Sequence, residues 1–176
     1  MIETITALRG KIQLSVGQVV LAIMNLPRYR HQALGDLMHV VLDPLMRDRV
    51  AIAHVRNDHH PEGDEQTVAG IAIWATVSEA VDAKITEQIK AGVFPVRLAS
   101  EDWTSGEVVW LLDVIASDRS QATRVLANFR QLSGERPVKI HPIVARSVDP
   151  VLLEKMRVRP AEGAAAAPMP EPQGRA

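Results

Sequence analysis

The chain has 176 residues, of which 47% are hydrophobic and 23% charged, a composition typical of one globular domain with its own core. A formal net charge of −1 argues against binding of nucleic acid or an anionic membrane through a basic surface. The chain contains no cysteine, which excludes disulfides, thiolate metal sites and a cysteine nucleophile. No apolar run approaches the roughly 18 residues of a membrane span, and the N-terminal segment is too polar for a secretory signal, so we expect a cytoplasmic protein.

Hydrophobic periodicity and capping residues predict a mixture of helices and strands. Apolar residues at helical spacing follow Ser15 and Ser78, which can cap helices, and Pro27 ends the first of them. Strictly alternating segments flank the polar residues 57–65 and suit an antiparallel hairpin. The expected elements, in chain order, are helices over 16–26 and 31–41, strands over 50–55 and 67–77, a helix over 78–91, a strand over 108–116, a helix over 120–132, a strand over 138–148 and a short helix over 149–156.

The apolar run 108–116 predicts a central strand that is buried on both faces. The whole order predicts an α/β (α+β) fold with a mostly antiparallel central sheet flanked by helices, and with a late strand–helix–strand crossover. Acetyltransferase-like (GNAT-like) folds have this layout, although many unrelated α+β domains share it. We predict one domain over residues 1–159 and a disordered, Ala/Pro-rich tail over residues 160–176.

Three segments, taken in order along the chain, carry a more specific signature. They are residues 26–37 (LPRYRHQALGDL), 70–78 (GIAIWATVS) and 101–116 (EDWTSGEVVWLLDVIA). The third combines a DWTSG motif with a tryptophan three residues before Asp113. All three resemble segments of the hemolysin-activating acyltransferases, the family that acylates lysines of RTX protoxins.

The resemblance implies a reaction, its donor and its partners. A fatty acyl group would move from acyl-acyl carrier protein to the ε-amine of a protoxin lysine, with no bound cofactor and no metal. The implied partners are acyl carrier protein and an RTX-type protoxin, and a homodimer is left open. The sequence contains no glycine-rich pyrophosphate loop of the kind that binds coenzyme A, which favours a protein-bound donor.

The chain departs from the family at positions that the resemblance implies to be functional. Asp113 matches the catalytic carboxylate, but Tyr29 stands where the family has its catalytic histidine, and Leu26 stands where it has a serine. A lysine, with a reference pKa of ~10.4, needs a base to accept its proton, and a phenol at ~10 is a poor one. Tyr29 could instead donate a hydrogen bond to a developing oxyanion. His31 lies two residues on, and it reaches the same side as Tyr29 only if this segment is extended.

Three functions therefore stay open. The first is an active acyltransferase in which Asp113 and a nearby histidine, His31, form the working pair, with Tyr29 as a further candidate site residue. The second is a catalytically impaired relative that binds a protein or an acyl chain. The third is an α+β module of unrelated function. Each residue also has a simpler explanation: backbone amides could satisfy Asp113, and the pair His59–His60 fits a solvated loop better than a metal site. Arg28 and Arg30 could be solvated or could meet an acidic carrier protein.

Overall fold

The computed structural model describes residues 2–56, 66–134, 136–155 and 159–160. The hairpin turn with His59 and His60, and the predicted tail after residue 160, lie outside the described residues. The helices are α1 (Ile2–Met24), α2 (Asp43–Met46), α3 (Glu79–Lys90), α4 (Arg119–Ser133), α5 (Pro142–Ser147) and α6 (Pro150–Lys155). The strands are β1 (Val50–Arg56), β2 (Gln66–Val77), β3 (Val108–Ile115), β4 (Val138–Ile140) and β5 (Arg159–Pro160).

The five strands form one sheet in the order β1-β2-β3-β4-β5, so β3 is central. β1, β2 and β3 pair antiparallel, and β3, β4 and β5 pair parallel over shorter stretches. One apolar cluster lies between the sheet, α1 and α3, and a second lies between the sheet, α4 and α5. The mixed fold and the mostly antiparallel sheet are confirmed, as is the burial of β3 on both faces.

The region that precedes the sheet differs from the prediction. The expected helix over 31–41 is wrong: the structure has a 3₁₀ turn at Leu34–Asp36 and a π-helical turn at Met38–Leu42. The Asp36 carboxylate accepts a hydrogen bond from the Ala33 backbone N–H at 2.8 Å, a local bond that competes with a regular helix. Asp43–Pro44 begins α2 instead of stopping a helix, because proline in a first turn gives up no helical hydrogen bond.

Two other boundaries also differ. Helix α1 begins at Ile2, well before the predicted start. Its N-terminal half leaves apolar residues such as Leu8 and Leu14 exposed, so the sequence shows no clear core-facing period there. The predicted strand over 138–148 ends at Ile140. His141 then caps α5 by accepting the Ile143 backbone N–H on Nδ1, and Pro142 occupies the first helical turn.

The DWTSG motif, which lies between α3 and β3 in the chain, packs against the junction of β2 and α3. Trp103 is buried, and the Ser105 hydroxyl accepts a hydrogen bond from the Ser78 backbone N–H at 2.9 Å. The Gly106 N–H donates to the Thr76 carbonyl at 3.2 Å. A Cβ atom on Gly106 would lie 2.7 Å from the backbone N and Cα of Ser78. The motif is therefore a packing device in which only glycine fits at residue 106.

We expect Gly106→Ala to lower the free energy of unfolding by roughly 1–3 kcal/mol, because backbone atoms must move to admit the methyl group. Urea denaturation measures the change. Gly35→Ala is the matched control: a Cβ there meets nothing within 4 Å, so its stability should stay near that of the wild type. Equal stability of both variants would contradict this account of the motif.

Candidate active site

The strand β3 carries Asp113 near its C-terminal end, and this residue is only 3% exposed. Trp110 and Leu112 pack in one apolar cluster and Leu111 in the other, as a regular strand requires. The register with β2 shifts between Ile73 and Trp74, so the alternation breaks at this point. Such a bulge changes the face toward which a side chain points. It turns Asp113 toward the segment that follows α1.

That segment supplies two direct partners for the carboxylate. Tyr29 Oη donates to Asp113 Oδ2 at 2.5 Å, and Arg28 Nη2 donates to Oδ1 at 2.9 Å and to Oδ2 at 3.1 Å. The Val114 backbone N–H donates to Oδ1 at 2.8 Å, and Arg28 Nη2 also reaches the Val114 carbonyl. Asp113 accepts every one of its hydrogen bonds, which is the pattern of an ionised carboxylate.

Burial is the main cause of the shifts in the pKa values of Asp113 and Tyr29. It raises the pKa of Asp113, against the opposing effects of the Arg28 charge and of the hydrogen bond from Tyr29. Burial, and then the negative charge of Asp113, raise the pKa of Tyr29 well above its usual value. Tyr29 therefore stays a neutral phenol, which can donate a proton in a hydrogen bond but cannot serve as the base.

Tyr29 belongs to a 3₁₀ turn, Pro27–Tyr29, that directs its ring inward. The ring meets Phe94 edge-on, with 5.3 Å between centroids, and Phe94 meets the His141 ring in the same way at 5.8 Å. Tyr29 and Asp113 line a narrow cavity whose other lining residues are His39, Val40, Ile73, Phe94, Pro95, Val96, Trp103 and Leu112. This cavity is small, about 20 Å³, and mostly apolar, so it is the place where Asp113 and Tyr29 meet the core and is too small to hold an acyl chain.

His31 lies apart from this cluster. Its side chain is exposed, and none of its atoms forms a hydrogen bond or an ion pair with another residue of the described ranges. Asp113 contacts Tyr29 and Arg28 instead. A catalytic role for His31 stays a prediction.

His141 is a further titratable group beside the site. Burial, followed by the charges of Arg146 and Arg28, lowers its pKa to about 4, so the ring is neutral at physiological pH. Its Nδ1 accepts a hydrogen bond from Ile143 N–H, so the ring proton is on Nε2. That buried nitrogen has no hydrogen-bond partner among the residues that the structure describes.

Sequence reasoning missed three participants: Arg28 as the ion-pair partner of Asp113, the aromatic contact of Phe94, and His39 at the cavity. Only His39 had a readable signal, because Asp43 follows it at the i,i+4 spacing that joins side chains on a helix. No group of three or more metal-ligating side chains is found within the described ranges, and none of the described helices is long and apolar enough to cross a membrane.

A comparison with protein families identifies the family of this chain. Residues 11–142 match the model of the RTX toxin acyltransferase family. The matched range includes Tyr29, His39 and Asp113. The chain therefore belongs to the RTX toxin acyltransferase family, whose members are toxin-activating acyltransferases. Among curated proteins, none matches the chain significantly.

Proposed function

We propose that the protein is a protein-lysine fatty acyltransferase of GNAT-like fold that moves an acyl chain from acyl carrier protein to the ε-amine of a lysine in an RTX-type protoxin. Family membership supports the reaction class. One structural observation carries the site: Asp113 is bound directly by Arg28 and Tyr29. The segments that the resemblance implicates, about 85 residues apart in sequence, thus meet at one carboxylate.

The local sheet geometry supports a substrate site at this point. β4 pairs with β3 only as far as Leu111, where the His141 N–H donates to the Leu111 carbonyl. Beyond it the chain turns into α5, so the Asp113 end of β3 has no β4 neighbour. We propose that the substrate reaches Asp113 at this strand end, which has no strand neighbour on that side.

The charges near the site agree with a protein-bound donor. Arg28 is partly buried on Asp113, with 21% of its side chain exposed, and Arg30, two residues further along, is exposed. An exposed arginine such as Arg30 beside a reaction site suits an acidic partner surface, because complementary charge speeds and orients docking. Acyl carrier protein is the acidic partner that the resemblance implies.

The test is a reconstituted transfer reaction. The protein is incubated with acyl-loaded carrier protein and an RTX-type protoxin, and the protoxin is then mapped by peptide mass spectrometry. We expect one acyl mass on each modified lysine, and a slower reaction when acyl-coenzyme A replaces the carrier protein. Equal rates from both donors would exclude the carrier protein as the preferred donor.

The alternative function is a binding module that has lost catalysis. It is favoured by one observation, the neutral phenol of Tyr29 where the family has a histidine. In that case the wild type binds the acyl carrier protein but transfers nothing. Tyr29→His, which restores the family residue, would then be the variant that gains transfer.

A further inference from the structure

We propose that His39, oriented by Asp43, is the general base that removes the proton from the attacking lysine. The proposal deepens the acyltransferase function and rests on it. His39 gives the reaction the base that Tyr29 does not provide, since Tyr29 is a phenol hydrogen-bonded to Asp113.

The position of His39 suits this role. It belongs to the π-helical turn Met38–Leu42, a rare backbone form that is frequent at functional sites. The residue lines the same cavity as Tyr29 and Asp113. Its side chain is 46% exposed, so the lysine of a protein substrate can approach it from solvent.

Asp43 is held in place by other residues and has one oxygen directed at the imidazole. Its Oδ1 accepts from Arg47 Nη1 and from the Ser100 hydroxyl, both at 2.9 Å. Its Oδ2 lies 3.5 Å from His39 Nδ1. Distances between catalytic groups are often long in a free enzyme and shorten when the substrate binds.

This arrangement determines which nitrogen is basic. A carboxylate beside Nδ1 favours the tautomer with its proton there, which leaves the lone pair on Nε2. Nε2 of His39 has no hydrogen-bond partner among the described residues.

The other histidines in the described ranges are less suitable. His31 has no carboxylate partner there. His54 shares a hydrogen bond with Gln18 and lines a different cavity, between α1 and β1. His141 is buried, and its Nδ1 already accepts a hydrogen bond, so its remaining nitrogen is a donor and not a base.

The step is a simple acyl exchange. The lysine nitrogen attacks the thioester carbonyl carbon, so that a C–N bond forms and the C–S bond breaks. His39 Nε2 takes the proton from the nitrogen and passes it to the departing thiolate of the carrier protein. The products are an amide and a thiol, with no other reactant consumed.

The first test replaces the base. We expect His39→Ala to lower the rate of lysine acylation by roughly 10²–10⁴-fold, the usual loss for a general base. Added imidazole should restore part of the rate, which it would not do after a merely structural loss. His54→Ala is the matched control and should acylate at the wild-type rate, because His54 lines a different cavity. His31→Ala tests the alternative base. Circular dichroism and urea denaturation should show each variant folded.

The second test concerns Asp43 as a positioning residue. Asp43→Asn should slow acylation in the wild-type background and have little effect in the His39→Ala background, because the two residues act as one unit. A purely structural role would slow both backgrounds by the same factor.

The outcomes separate this proposal from the function that it rests on. If the wild type transfers acyl groups and His39→Ala does so equally fast, the base assignment is wrong and the function stands. If only His31→Ala is slow, His31 is the base. If the wild type transfers nothing under any condition, both proposals fail.

Discussion

Asp113→Asn is expected to lower the rate of acyl transfer by roughly 10²–10⁴-fold, the range seen when an enzyme loses a charged group paired with its reacting centre. The amide keeps the size of the side chain but removes its negative charge. It also turns one acceptor into a donor, which then faces either Arg28 or Tyr29, both of which are donors themselves. The measurement is the initial rate of lysine acylation at saturating acyl carrier protein.

Asp48→Asn is the control for this change. Asp48 is exposed and has a positive φ of 55°, a conformation that asparagine tolerates, so its rate and stability should match the wild type. An Asp113→Asn enzyme that keeps wild-type activity would remove Asp113 from the mechanism. A loss of activity that accompanies unfolding in circular dichroism would instead make Asp113 a structural residue.

Trp110→Ala is expected to lower the free energy of unfolding by about 3–5 kcal/mol, the usual cost of emptying a core site of this size. Trp110 is completely buried on the central strand, and its indole N–H donates to Asp82 Oδ1 at 2.7 Å. Asp82 also pairs with Lys139 of β4 at 2.8 Å, so the indole links β3, α3 and β4. Equilibrium unfolding in urea measures the change.

Trp110→Phe separates the two contributions. It keeps most of the apolar volume and removes the donor to Asp82, which Lys139 continues to satisfy. We expect a loss smaller than that of the alanine variant. A loss below about 1 kcal/mol for Trp110→Ala would contradict the placement of this side chain in the core.

The parts of the fold that follow from local chemistry could be predicted from the sequence. The apolar run around Trp110 is long and rich in β-branched residues, so a central strand with Asp113 near its end was predictable. Ser78 was correctly identified as the cap of α3, because its hydroxyl bonds the Val81 N–H. These features depend on residues that are close together in the sequence.

The parts that depend on distant contacts could not be predicted. The bulge that turns Asp113 toward Tyr29 results from how β2 pairs with β3, and no residue type signals it. From the sequence alone, Arg28 has the character of a surface residue, and only the fold places the end of β3 beside it. The end of β4 depends on His141 and Pro142 beginning a helix where the apolar pattern continues.

The residues of the candidate site likewise fall into those that the sequence identified and those that it did not. Tyr29 and Asp113 could be named because a motif contained each of them. His39 was missed because the predicted helix ended at residue 41, before Asp43, whereas the chain forms a π-helical turn there that continues into α2. Only the folded structure brings His39 to the cavity that Tyr29 and Asp113 line.

The most direct test of the account is the mass of the protoxin lysine peptides after incubation with acyl-loaded carrier protein and either the wild type or Asp113→Asn. The account predicts a fatty acyl mass on defined lysines with the wild type and almost none with the variant, at equal amounts of folded protein. Equal labelling by both proteins, or none by the wild type, would contradict it.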